Sequence, residues 1–410
     1  MLRSTLWFKA GGILAVGAAV ISCATSASAV GPPGRHRQSH ARRSAARPVQ
    51  RQAAASSAAP QATASVTSAG LPKMSARQLA GQRVIYSYSG LNPPAGLLWL
   101  IRHGEAAGVI FFGQNIHSEA QIATVIKKLE AADAAATNPV HAPLLLMTDQ
   151  EGGEVRRLPG APDLSEKEIG DSAHPAAEAT SAGSGAAANL RGVGMNVNLA
   201  PVLDVYRTAG DFDDQFQRSY AKSPHKVSYL GADFIKAQQK GGVAATAKHF
   251  PGLGAAAKNE DTDVRPVTLN VSKTKLRDID EYPYKAAISA GVKLVMVSWA
   301  VYPALGTHRP AGLATKIVQG ELRDRLGFKG VTITDALEAG ALHAYGAIQN
   351  RALLAGEAGM DLMLCAAQNV TEGDQCMDGL ENGYNHGTIA KSTFKAAVSR
   401  VLSLRASLPE

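Results

Sequence analysis

From Ala76 onward the chain alternates. Short, nearly unbroken apolar runs are followed by longer amphipathic or alanine-rich stretches, and the rhythm continues to the end. Few folds accept it. A short apolar run reads as a parallel strand covered on both faces, and a helix must then carry the chain back to begin the next strand. The strand runs are 84–88, 108–113, 144–149, 195–205, 243–250, 294–299, 330–335 and 361–366. The helical stretches are 118–136, 174–192, 224–240, 273–290, 315–326 and 347–359, with 389–407 as the last helix. Eight such strands over about 335 residues predict an α/β fold, a single (β/α)8 TIM barrel spanning 74–410. An open doubly wound sheet uses the same elements, but no Gly-x-Gly-x-x-Gly follows the first strand to bind a nucleotide.

A barrel of this kind collects its active groups at the C-terminal ends of its strands. Here those ends read Asp149, Asp204, Lys248–His249, Ser298–Trp299 and Asp335. Packing alone does not explain polar residues closing apolar runs so regularly. Residues 144–158, LLLMTDQEGGEVRRL, bring Asp149, then a Gly152–Gly153 turn, then Arg156 and Arg157. A carboxylate at a barrel mouth accepts hydrogen bonds from sugar hydroxyls, and an arginine beyond a tight turn can reach the same ligand or hold the carboxylate. Lys248 and His249 add donors at the end of the fifth strand, before Pro251 and Gly252 turn the chain into a loop. In GVTITD, strand residues deliver Asp335 to the mouth, where a carboxylate suits displacement at an anomeric carbon. An aspartate there can also cap the helix that follows.

The N-terminal region is of another kind. Arg3 and Lys9 precede an apolar run, 11–21, that is short for a membrane span, and Ala27-Ser28-Ala29 makes a cleavage site, so 1–29 reads as a secretory signal peptide. Cys23 offers lipidation as the other route. Residues 30–73 are rich in Ala, Ser, Arg and Pro and read as a disordered linker. Residues 1–70 hold eight of the 42 Lys and Arg residues and no Asp or Glu, leaving 34 basic against 34 acidic residues beyond them. The net charge of +8 therefore belongs to this segment and says nothing of a nucleic-acid site in the barrel. It suits contact with an anionic cell wall or membrane surface, in a secreted or surface-attached monomer. An exported chain would let Cys365 and Cys376 pair as a disulfide. No Cys/His cluster has zinc spacing, and neither metal nor organic cofactor is expected.

The ordered series AGVIFFGQNI, TDQEGGEVRRL, NLAPVLDV, RSY, AKHFPGLG, VMVS and GVTITDALEAG resembles glycoside hydrolase family 3, in particular its single-domain β-N-acetylglucosaminidase branch, over roughly residues 74–408. The resemblance implies a TIM barrel and a retaining mechanism with Asp335 as nucleophile. It implies sugar binding by Asp149, Arg157, Arg218, Lys248 and His249. One departure stands out. The Asp-His dyad that serves this branch as general acid/base is replaced by Asp261-Thr262-Asp263, with Asp263 where the histidine would stand, and Leu253 replaces another family histidine. The acid/base is then Asp263, Asp261 or Glu260. The expected activity is hydrolysis of terminal β-linked N-acetylglucosamine from cell-wall or related glycans. A β-glucosidase and a catalytically silent glycan-binding barrel are the alternatives.

Overall fold

Eight parallel strands close on themselves in a computed structural model that describes residues 70–409. The expected signal peptide, its Cys23 and nearly all of the linker lie outside the described residues. The strands are β1 (Val84–Tyr86), β2 (Gly108–Ile110), β3 (Leu145–Thr148), β4 (Val197–Asn198), β5 (Ala244–Phe250), β6 (Leu294–Val297), β7 (Val331–Ala336) and β8 (Leu362–Leu364). They pair in chain order, and β8 returns to β1 through Val84–Met363 and Ile85–Leu364. This is the (β/α)8 barrel that the sequence predicts. No helix among the described residues is long and apolar enough to cross a membrane.

Strand side chains alternate between two faces, and that alternation builds the barrel in layers. Leu145 and Met147 of β3, Ala244 of β5, Leu294 and Met296 of β6, and Val331 and Ile333 of β7 form one interior cluster. Their neighbours, such as Leu146, Ala245, Val295 and Val297, pack outward against the helices. Continuing the inward parity upward gives Asp149, Lys248, Ser298 and Asp335. The mouth is therefore the next layer of the same stack, written in polar residues.

The bottom is closed by the helix Lys391–Ala406. Val401, Leu404 and Leu408 complete the interior cluster from below. Arg400 grips Asp361 at 2.7 Å, and Arg323 reaches the same carboxylate at 2.6 Å. Burial alone would raise the Asp361 carboxyl, but the two guanidiniums outweigh it and hold it below the ordinary range.

Three expectations need correction. The fourth strand is not one run over 195–205. Pro201 has no N–H for the ladder, so β4 ends at Asn198 and pairing resumes only as a bridge between Val202 and Lys248. A 17-residue helix, Val370–His386, stands where no helix was expected. Its glycines weaken the helical signal, yet contact demands them: a Cβ on Gly373 would sit 2.2 Å from the Tyr86 ring, and one on Gly379 2.1 Å from the Gln349 carbonyl. Finally, Cys365 and Cys376 are free thiols. Both are fully buried and fill the core as small apolar groups.

Candidate active site

The floor of the mouth is a chain of charges. Lys248, on β5, donates from Nζ to Asp149 at 2.8 Å and meets Glu151 at 2.7 Å. Arg218 forks onto Glu151, Nε to Oε2 at 2.8 Å and Nη2 to Oε1 at 2.9 Å. Its other nitrogen reaches Asp213 at 3.5 Å. Burial would raise both acids, but Lys248 and Arg157 hold Asp149 below its ordinary value, and Arg218 and Lys248 hold Glu151 further down. Both stay ionised. Only Oδ1 of Asp149 is taken by Lys248, and the residue keeps open surface. Arg157 forms no side-chain ion pair among the described residues, and its buried Nε has no hydrogen-bond partner. The guanidinium is free for a ligand.

Strand parity would point His249 away from Lys248. The β5–β6 register shifts between Ala247 and Phe250, however, and an irregularity of this kind re-aims side chains. His249 Nδ1 lies 2.7 Å from Asp204 Oδ2. The backbone N–H groups of His249 and Leu253 donate to the same carboxylate, which anchors the turn. Burial, then Arg218, lowers the imidazole to about 4, so it is neutral. With Nδ1–H donated to Asp204, Nε2 is left as an acceptor. Asp204 is raised to about 6 by burial, and Asp213 to about 7 by burial and by Asp204. The two carboxyls are close enough for Asp204 to disfavour the charge on Asp213. Ligand atoms of Asp204, Asp213 and His249 lie within 4.8 Å of one another, a spacing a metal ion could bridge. His249 Nδ1 and Asp204 Oδ2 are already joined by their own hydrogen bond, while Asp213 Oδ2 is buried without a partner among the described residues.

Asp335 closes β7, half-buried, with Oδ1 accepting its neighbour Ala336's N–H at 2.8 Å. Trp299, fully buried, donates Nε1–H to the Ala336 carbonyl at 2.8 Å and fixes the chain just past the carboxylate. Across the mouth runs the loop after β5. Glu260 accepts from the Ala257 N–H at 2.8 Å, and Asp261 accepts from the Asp263 N–H at 2.8 Å, so both acids fold the loop. The Asp263 carboxylate has no hydrogen-bond partner among the described residues. It is raised to about 7 by the protein around it and by the Asp335 carboxylate. Because the side chain keeps open surface, the repulsion is the firmer of these causes. The loop is pinned from below: Gly340 N–H donates to the Asp263 carbonyl at 2.8 Å, and Ala341 N–H to that of Thr262 at 3.0 Å.

The fold thus brings together Asp335, Asp263, Asp149, Arg157, Lys248 and His249. Arg218 joins them from below, its guanidinium committed to Glu151 and Asp213. Asp261 is near but engaged in its own turn. Glu151 and Asp213 were not expected here. Glu151 stood in the quoted motif, two residues past Asp149, but nothing in its spacing reveals an arginine 67 positions away.

The model of the glycosyl hydrolase family 3 N-terminal domain matches residues 84–404. An uncharacterized secreted glycosyl hydrolase of Arthroderma benhamiae is 44% identical over 329 residues, which cover 80% of this chain and 93% of that protein. A beta-hexosaminidase of Stenotrophomonas maltophilia is 31% identical over 291 residues, covering 68% and 82%. Among solved structures, a family 3 beta-N-acetylglucosaminidase from Paenibacillus superposes with a TM-score of 0.76 at 31% identity. That match covers 82% of this chain and 63% of the Paenibacillus chain, so this chain spans less than two thirds of it. A beta-N-acetylhexosaminidase from Beutenbergia cavernae superposes with a TM-score of 0.73 at 29% identity, covering 82% and 99%.

Proposed function

The chain belongs to glycosyl hydrolase family 3 and is a glycoside hydrolase, and from that premise we propose that it is an exported, retaining β-N-acetylhexosaminidase acting on terminal β-linked N-acetylglucosamine of cell-wall or related glycans. One observation carries the catalytic reading. Of the three acids in the loop facing Asp335, only Asp263 has a carboxylate free of hydrogen bonds among the described residues, and Asp335 itself raises that carboxyl. The hexosaminidase names of relatives support the sugar. The basic, apolar N-terminus and a relative described as secreted support export.

The steps follow from charge. Asp335 attacks the anomeric carbon while Asp263 gives its proton to the departing glycosidic oxygen. The Asp335 oxygen is then bound in a glycosyl ester and its charge is gone. The repulsion that raised Asp263 goes with it, so the Asp263 carboxyl falls and becomes the base for the second step. It takes a proton from water, the water oxygen bonds to the anomeric carbon, and Asp335 leaves as carboxylate. Asp149 and His249 Nε2 accept from sugar hydroxyls, and Arg157 donates. Lys248, Glu151 and Arg218 hold Asp149 in place.

The test pairs turnover with labelling. The protein should hydrolyse aryl β-N-acetylglucosaminide faster than aryl β-glucoside. With 5-fluoro-β-N-acetylglucosaminyl fluoride it should gain one glycosyl mass on the peptide holding Asp335. No turnover and no adduct would remove the enzyme reading of this site. The loop makes its own prediction. A Cβ at Gly340 would lie 2.1 Å from the Val264 carbonyl oxygen, so Gly340→Ala must push away the loop that carries Asp263. We expect kcat to fall by about tenfold, equivalent to ~1.4 kcal/mol, with KM nearly unchanged and the thermal unfolding midpoint lowered by the strain.

A further inference from the structure

Two chain segments leave the mouth side by side. One runs from Asp335, near the end of β7, to Gly340. The other follows β8 and enters the helix Val370–His386. Glu338 lies in the first, three residues past Asp335 and two before Gly340. Its Oε2 accepts from the Ala366 N–H at 3.3 Å. Glu372, in the first turn of the helix, accepts from the next N–H, that of Ala367, at 2.7 Å. The two carboxyl groups, seated on adjacent amides of one loop, lie close enough for each to bear on the other's protonation. Glu372 Oε1 is buried with no N–H or hydroxyl partner. Two carboxylates in contact cannot both ionise cheaply, and a hydrogen bond between them requires a proton.

We propose that Glu338 and Glu372, joined by one shared proton, are positioning residues that set the separation of the two catalytic carboxylates. The segment that Glu338 anchors has Asp335 at one end and the N–H groups of Gly340 and Ala341, which hold the Asp263 loop, at the other. Fixing Glu338 fixes both. Loss of the shared proton puts two negative charges in contact and frees the segment. The groups facing the pair are few. Arg351 comes from the helix Ile348–Ala358, with its N–H groups on the Leu337 and Gly346 carbonyls at 2.8 Å each. Cys365 lies at the end of β8, where burial and Cys376 keep it a neutral thiol. Asp263 faces the pair from the loop across the mouth and adds negative charge as it ionises. Burial, and then Glu372, pushes Glu338 well above the ordinary carboxylate range, so the pair holds its proton beyond the pH at which a free carboxyl gives it up.

The proposal rests on the roles given to Asp335 and Asp263, and its test includes a readout that needs no turnover. Glu338→Gln keeps a donor for Glu372 but has no proton to lose. We expect its kcat near pH 6 to stay within about threefold of wild type, and its alkaline limb to move up by about half a pH unit or more. Glu338→Ala and Glu372→Ala should lose about tenfold or more in kcat, with KM nearly constant. Amide hydrogen exchange over 336–341, corrected for the intrinsic pH effect, should rise steeply above neutral pH in wild type and stay flat in Glu338→Gln. Superimposed kcat profiles and identical exchange in wild type and Glu338→Gln would overturn the latch. Exchange that behaves as expected in a protein that fluorosugar does not label would sink the glycosidase reading of the site and, with it, the catalytic role of the latch.

Discussion

Asp335→Asn should lower kcat by roughly a thousandfold or more on any aryl glycoside the wild type accepts. The substitution is nearly isosteric. Asparagine can keep the contact of its side-chain oxygen with the Ala336 N–H, and Trp299 still clamps the chain beyond it. What goes is the proposed nucleophile and its charge. That charge also acts on two neighbours: it raises Asp263 and supports protonation of His249. Without it the Asp263 carboxyl falls toward its ordinary range, so the variant loses the protonated acid at neutral pH as well as the attacking oxygen. Both losses should show in steady-state kinetics. The fluorosugar adduct should vanish, while a product-like sugar should still bind through Asp149, Arg157 and His249. Equal rates in wild type and variant would end the nucleophile assignment.

Replacing Asp263 with alanine should have an effect that depends on the leaving group. For an alkyl or sugar leaving group, which needs a proton, kcat/KM should drop by about 10²–10⁴-fold. For dinitrophenyl glycosides the first step needs no acid, so kcat/KM should hardly change. The second step still lacks its base, so the glycosyl ester should accumulate, and azide should restore turnover by forming a glycosyl azide. The pH profile adds a sign. A group that must be protonated to act gives a limb on which activity falls as pH rises through its pKa. With Asp263 raised to about 7, the alkaline limb of wild-type kcat/KM should fall near neutral pH and be absent in the variant on activated substrates. Wild-type behaviour of Asp263→Ala on all substrates would move the role to Glu260 or Asp261, and the hydrogen bonds those two make would have to break in the complex.

The barrel was legible because strands buried on both faces must be apolar throughout, and eight such runs with helices between them admit few arrangements. The mouth was legible for the same reason: Asp149, Lys248 and Asp335 are polar residues at the point where an inward parity emerges from the apolar stack. What escaped was set by contact between distant segments. Pro201 ends a ladder that hydrophobicity alone would extend. Gly373 and Gly379 sit in a helix because Tyr86 and Gln349 come too close for any side chain. The roles of Glu151, Asp213, Glu338 and Glu372 arise from partners remote in the chain, and spacing does not encode them. The acid/base stood open among three residues of one loop. The hydrogen bonds of Glu260 and Asp261 separate them from Asp263, and sequence cannot show which carboxylates a loop uses to hold itself.

The helix beneath the barrel bears on how the chain reaches this state. Ile85 of β1 and Val401 of that helix belong to one interior cluster, roughly three hundred residues apart in the chain. Bringing ends so far apart together costs on the order of 5 kcal/mol in loop-closure entropy before their contact returns anything. Contacts of such long range slow folding. The innermost layer of this molecule thus includes contacts that its chain is least able to assemble early, between a strand and a helix from opposite ends of the barrel segment.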